Sequence, residues 1–137
     1  MTGSSLPLPV DEVADPGPPL PLFAHGAVLP EELLSNLLER PAPGEAAVLT
    51  GFVVAELGGT GWPVLVPARP GEPGSEVPGR LYRGLSEDDM ARVDAYQGVG
   101  EELYRRARVA VRSSLGQEPA IAYLPTDKTL RTWTSRR

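Results

Sequence analysis

Few residues in this chain have the chemistry to move a proton or hold a ligand. His25 is the single histidine, and an imidazole with an ordinary pKa of about 6.5 suits proton transfer at neutral pH. It closes an apolar run, Leu20 to His25, that leads into Gly26. Gln97 lies near the end of a helical stretch, with Asp94 three residues before it on the same helical face. A primary amide positions a partner but accepts no proton at neutral pH. Glu101 and Glu102 follow Gly98 and Gly100 in a segment read as a mobile loop. Ser113 and Ser114 have no neighbouring histidine or aspartate to make a nucleophile. Gly58-Gly59-Thr60-Gly61 lacks the lysine and spacing of a phosphate loop and reads as a turn. The chain has no cysteine, which excludes thiol nucleophiles, thiolate metal sites and disulfides. No His/Asp/Glu cluster stands at ligand spacing, so no metal is expected.

The elements that position these residues are short. A helix is expected from Pro30, a residue suited to a first helical position, with Glu31 and Glu32 complementing the dipole at the helix start. Leu33, Leu34, Leu37 and Leu38 give it one apolar face, and Pro41 stops it. Ala46 to Leu57 reads as a strand interrupted at Gly51. The short apolar run Val64-Leu65-Val66 follows Trp62-Pro63, and Trp62 suits either a ligand-pocket wall or a core. Residues 67–78, with four prolines, read as a solvent-exposed connection before a short strand from Gly79 to Leu85.

Ser86 with Asp89 three residues later has capping-box spacing, and the helix they open reaches Gly98, a good residue for the left-handed turn after a helix. Ala107, Val109 and Val111 alternate with Arg108 and Arg112, which predicts a half-exposed strand with Arg106 on the arginine face. Ala120 to Leu124 reads as the last strand. About six short strands with two helices predict an α+β domain, a small mixed β-barrel with packed helices.

Composition bounds the function. A chain of 137 residues suits a single core. Six of the 16 prolines precede Leu22, so residues 1–19 are expected to be a Pro-rich flexible tail ahead of a domain over 20–124, with a polar tail over 125–137. The net charge of -5 and the lack of an arginine-rich stripe argue against nucleic-acid binding. No window approaches the 18 or so apolar residues of a spanning helix, and Met1 to Pro21 lacks the pattern of a signal peptide. A cytoplasmic location without membrane partners is therefore expected.

Three segments in order carry a resemblance. They are Leu22-Phe23-Ala24-His25-Gly26-Ala27-Val28, Gly61-Trp62-Pro63-Val64-Leu65-Val66-Pro67, and Gly79-Arg80-Leu81-Tyr82 leading through Ser86 to Val93-Asp94-Ala95-Tyr96-Gln97-Gly98-Val99 and Leu103-Tyr104-Arg105-Arg106. Over about residues 20–124 the chain resembles the γ-glutamylcyclotransferase-like family, which includes the AIG2-like and γ-glutamylamine cyclotransferase proteins. The resemblance implies a small mixed barrel and a cofactor-free, metal-free internal aminolysis. In that reaction, the α-amine of a γ-glutamyl group attacks its own γ-carbonyl, closing 5-oxoproline and releasing an amine or amino acid.

It also implies roles for individual residues. The family's glycine turn, usually Tyr-Gly-Thr/Ser-Leu, cradles the substrate carboxylate, and here it reads His25-Gly26-Ala27-Val28. Trp62 and Tyr104 join these four as the implied substrate-binding positions. The acid/base glutamate of the Asp-x-x-Glu-Gly segment falls on Gln97, and Asp94 matches an acid with a structural role. Because an amide is no base, the expectation is a small γ-glutamyl-like ligand with weak or absent turnover, His25 being the candidate substitute base. The alternative is a ligand-binding or scaffold protein of the same fold.

Overall fold

The computed structural model describes residues 20–25, 29–57, 63–71 and 75–134. Its elements begin and end where the capping chemistry stands. Helix α1 (Glu31–Leu38) starts after Pro30, whose extended backbone makes it the cap rather than the first helical residue, and it buries Leu34 and Leu38. Helix α2 (Glu87–Gln97) is opened by a complete capping box. The Ser86 hydroxyl accepts from the Asp89 amide at 3.0 Å, and the Asp89 carboxylate accepts from the Ser86 amide at 2.8 Å. Gly98 ends α2 in the left-handed conformation at φ +74°, which glycine adopts at no steric cost. Replacing Ser86 by alanine should cost about 1 kcal/mol, read as a shift of the urea midpoint with an unchanged m-value.

The two helices are tied together at the same point. Both terminal nitrogens of Arg40, just beyond α1, donate to the Asp89 carboxylate, at 2.9 and 2.6 Å. Asp89 therefore caps its own helix and anchors its neighbour.

Five strands close a barrel in the order β1-β5-β2-β6-β7: β1 (Leu22–Ala24), β5 (Glu76–Tyr82), β2 (Glu45–Thr50), β6 (Tyr104–Ser113) and β7 (Gly116–Pro125). Closure comes from a parallel contact of β1 with β7, Leu22 opposite Ile121. Alternation along each strand separates two cores. Phe23, Ala47, Leu49, Val77, Leu81, Ala107, Val109, Val111, Ala120, Ala122 and Leu124 fill the barrel. On the outside, Leu22, Ala24, Tyr82 and Tyr123 meet Leu29, Leu34, Leu38, Met90 and Val93 beneath α1 and α2. Strands β3 (Phe52–Glu56) and β4 (Pro63–Pro67) form a separate antiparallel hairpin. The hairpin packs on the barrel through Leu65, which belongs to the interior core, and Phe52.

One end of the barrel is closed by charge. Following the interior rows past Leu81 and Val111 leads to Arg83 and Ser113, with Glu45 opposite Leu81 and Glu118 opposite Val111. Arg83 donates to Glu45 at 3.0 Å and to both oxygens of Glu118 at 2.9 and 2.6 Å. The Ser113 hydroxyl also bonds Glu118.

Several elements differ from the sequence expectation. The strand expected over 46–57 is two strands in two sheets, because Gly51 turns the chain at φ +84°. The segment expected as a connection up to residue 78 already contains β5 from Glu76, with Pro78 paired opposite Val48. Strands β6 and β7 form one long hairpin, Ser113 opposite Gly116 and Tyr104 opposite Pro125, each strand longer than its apolar run suggested. The polar stretch after Pro125 contains a third helix, α3 (Asp127–Thr134). Its start is capped by Thr126, whose hydroxyl accepts from the Thr129 amide at 3.2 Å. No helix among the described residues is long and apolar enough to cross a membrane.

Candidate functional site

The end of the barrel opposite the charged closure is where β1 and β7 finish and β6 begins. His25 follows β1 there, half-buried, and its carbonyl accepts from the Leu29 amide at 2.9 Å. Carrying the parallel β1–β7 register forward brings His25 level with Leu124, which pairs with Arg105 of β6. Tyr104 opens β6 half-buried against the outer core, and burial pushes its phenol pKa up. Gly26, Ala27, Val28 and Trp62, the other implied substrate-binding positions, lie outside the described residues.

Gln97 arrives at this end on the last turn of α2. It continues the buried stripe of Met90 and Val93 and is itself only 7% exposed. Among the described residues the buried side-chain polar atom without a hydrogen-bond partner is the Tyr82 hydroxyl, and the Gln97 amide is not such an orphan. The residue expected to be decisive is therefore inside the protein, on the face that packs towards the barrel.

Asp94, one turn earlier, is fully engaged. Its two oxygens accept from Arg106 at 2.9 and 2.6 Å, and one also accepts from the Tyr123 hydroxyl at 2.6 Å. Burial works to raise the Asp94 pKa, but the bonds from Arg106 and Tyr123 outweigh it and hold the carboxyl below its ordinary value. Burial and the bond to Asp94 push the Tyr123 phenol well above its ordinary range. A carboxylate held below its ordinary pKa by two bonding partners is a structural strut and a poor proton acceptor. Arg106, expected on the arginine face of a half-exposed strand, pairs inward with Asp94 and bonds the exposed Glu87 at 2.8 Å.

Glu101 and Glu102 are exposed, and the segment that carries them is not the mobile loop expected from its glycines. The amides of Glu101 and Leu103 both donate to the Gly98 carbonyl, at 3.1 and 3.0 Å, and that of Glu102 donates to Val99 at 3.0 Å. Its carbonyls are in turn bonded by Thr126, Lys128 and Thr129. Thr126 and Thr129 had no signal in the sequence beyond lying in a polar stretch. Among the described residues no group of three His, Cys, Asp or Glu side chains could hold a metal ion. A broad depression on the outer side of α1, lined by Glu31, Glu32 and Asn36 among others, contains none of the candidate catalytic or substrate-binding residues.

The depressed carboxylates set an acid limit. Arg40 holds Asp89 well below the ordinary carboxylate range, and Arg83 with Ser113 holds Glu118 down to about 2. Their folded pKa values lie below the unfolded ones, so their contribution is present above about pH 4.5 and is lost as pH falls through the folded values. The urea midpoint should be flat from about pH 5 to 8 and fall steadily from about 4.5 to 2. A midpoint independent of pH below 4.5 would show these pairs to be energetically idle.

Together these features define a class: a small closed mixed barrel with a helix-end polar residue and the end of its first strand brought to one end of the barrel. A family model described as gamma-glutamyl cyclotransferase, AIG2-like, matches residues 22–135, and the chain belongs to that family. It is 30% identical to AIG2-like protein C of Arabidopsis thaliana over 78 residues, which is 57% of this chain and 43% of that one. It is 28% identical to AIG2-like protein A of the same plant over 90 residues, 66% of this chain and 50% of that one. The chain thus spans about half the length of these curated relatives.

Among solved structures, an Arabidopsis thaliana protein determined in solution superposes at TM-score 0.65 with 24% identity, covering 85% of this chain and 67% of that one. A mouse AIG2-like protein superposes at TM-score 0.63 with 16% identity, covering 84% and 82%. A gamma-glutamyl cyclotransferase gives 0.57 with 22% identity, covering 78% and 66%. At these identities the structures establish the shared fold.

Proposed function

We propose that this protein binds a small γ-glutamyl compound at the open end of the barrel and turns it over weakly or not at all. The observation that carries this reading is Gln97, buried on the last turn of α2 at the position of the family's acid/base glutamate. Ring closure to 5-oxoproline needs the α-amine deprotonated, the carboxylate held and the chain folded so that nitrogen faces the γ-carbonyl. The amide of Gln97 can donate to the substrate or accept from its amine, and so serves the third need while failing the first. Asp94 does not replace it, being committed to Arg106 and Tyr123.

Binding and catalysis are separated by two measurements. Calorimetric titration with γ-glutamyl amines and γ-glutamyl amino acids should show saturable binding by the wild-type protein. Release of 5-oxoproline from the same compounds should be near background. Absence of binding to every compound would remove the reading. Rapid wild-type turnover abolished by His25→Phe would move the base to His25. The cytoplasm is the proposed location.

A further inference from the structure

The segment joining α2 to β6 is held from the start of α3. The Leu103 carbonyl accepts from the Thr129 hydroxyl at 2.8 Å and from the Thr126 amide at 3.1 Å. The Glu102 carbonyl accepts from the Thr126 hydroxyl at 2.5 Å, and that of Glu101 from Lys128 Nζ at 3.2 Å. Three successive carbonyls are thus bound by one turn of helix. Thr129 is only 4% exposed, so water does not compete well for its bond to Leu103. Glu102 sits at φ +63°, a conformation that non-glycine residues keep only when their surroundings impose it.

The same segment grips the end of α2. The Leu103 amide donates to the Gly98 carbonyl at 3.0 Å. The Leu103 side chain covers Gly98 so closely that a Cβ there would lie 2.9 Å from its Cδ1. Gly98 directly follows Gln97, which is only 7% exposed. The last turn of α2, which carries Gln97, is therefore held from outside the helix.

We infer that Thr129, supported by Thr126, is a positioning residue for Gln97: α3 fixes the 101–103 carbonyls, Leu103 is pressed on Gly98, and the last turn of α2 is locked. The importance of this lock for turnover rests on the reading of Gln97 as part of the ligand site, whereas the mechanical link itself is readable without any ligand.

The test uses Thr129→Val, which keeps the side-chain shape and removes the hydroxyl, and Thr129→Ser, which restores it. The first readout is the side-chain NH₂ resonance pair of Gln97, assigned by its loss in Gln97→Glu, together with amide exchange at Leu103. Thr129→Val should shift or broaden the Gln97 pair and speed Leu103 exchange about tenfold or more, and serine should bring both back. The second readout is 5-oxoproline release in the Gln97→Glu protein. There Thr129→Val should lower kcat roughly tenfold with KM within about twofold, again rescued by serine.

Unchanged Gln97 resonances with an unchanged kcat would overturn the inference. If Gln97→Glu is silent on every γ-glutamyl compound, the functional reading falls and the resonances alone decide the lock. Should Thr129→Val not fold, the exposed Lys128→Ala removes the outermost bond. A smaller shift of the Gln97 pair in the same direction is then expected, and no shift would count against the lock.

Discussion

Gln97→Glu should raise 5-oxoproline release by about 10²–10⁴-fold over the wild-type protein, the range attributable to a positioned general base. This corresponds to roughly 3–5 kcal/mol of barrel-end barrier lowering. The expectation depends on the surroundings of the residue as much as on its type. Position 97 is 7% exposed, and burial raises a carboxyl pKa. The ionised Asp94 one helical turn away pushes it further in the same direction, while Arg106, already shared between Asp94 and Glu87, opposes only in part. A glutamate here would therefore titrate closer to neutrality than a surface one, as a base for an amine requires. The rate should rise with pH through that value. The check is a pH–rate profile of the variant beside titration of ligand by both proteins. Binding retained with no gain in rate would mean that the pocket no longer folds the substrate for attack. Binding and rate both unchanged would place position 97 outside the ligand site.

Gly79→Ala should destabilise the fold by about 3 kcal/mol, at the upper end of overpacking penalties, and lower the melting temperature by roughly 10 °C. Gly79 is in β5 opposite Ala47, on a row that faces the barrel interior. Its φ lies outside the positive range, so alanine meets no backbone strain there. The obstacle is space. An added Cβ would lie 2.5 Å from Phe23 Cζ, 2.9 Å from its Cε1 and 2.6 Å from the Ala24 carbonyl oxygen. The ring can tilt, but Ala24 is paired opposite Arg80 in the β1–β5 ladder, so its carbonyl moves only if the strand does. Adding Phe23→Leu should therefore relieve the ring clash and leave the carbonyl clash, giving partial recovery in a double-mutant cycle. Complete additivity, or a cost below about 0.5 kcal/mol for Gly79→Ala, would show that β1 yields easily. The sensitivity matters to the site, because β1 delivers His25 to the open end.

Much of this arrangement is legible in the residues. Ser86 with Asp89 and then Gly98 mark both ends of α2 through local hydrogen bonding, and Pro30, Pro41 and the leucine stripe bracket α1. Alternation in Ala107-Arg108-Val109-Ala110-Val111 gives β6 its two faces. The family resemblance brought Gln97 and Tyr104 into one discussion, and the fold brings them to one end of the barrel. What was not legible depends on long-range partners. Gly51 looked like an interruption within one strand, yet it separates two sheets, because only the pairing of β2 with β5 and of β3 with β4 decides which side each continues on. Pro78 argued against a strand by removing a donor, and the sheet accommodates it opposite Val48. The α3 helix was hidden because the residues after Pro125 are mostly polar and read as a tail. Its value lies in hydroxyls that bind carbonyls more than twenty residues upstream, as the Thr129–Leu103 bond does. Arg106 likewise looks like any exposed strand arginine until Asp94 and Tyr123 are seen around it.

The parallel contact of Leu22 with Ile121 carries a kinetic consequence. The first strand of the barrel completes its pairing only with the last, so the clasp cannot shut while a growing chain still lacks β7. The β6–β7 hairpin, the β2–β5 pair and the β1–β5 pair can form without that clasp, whereas the second edge of β1 waits on its contact with β7. Folds dominated by such non-local pairing reach the native state in about milliseconds to seconds, well behind helical bundles of similar size. The edge of β1 at Leu22 that faces β7 should accordingly be among the last parts of the barrel to pair during folding and among the first to part when the barrel opens.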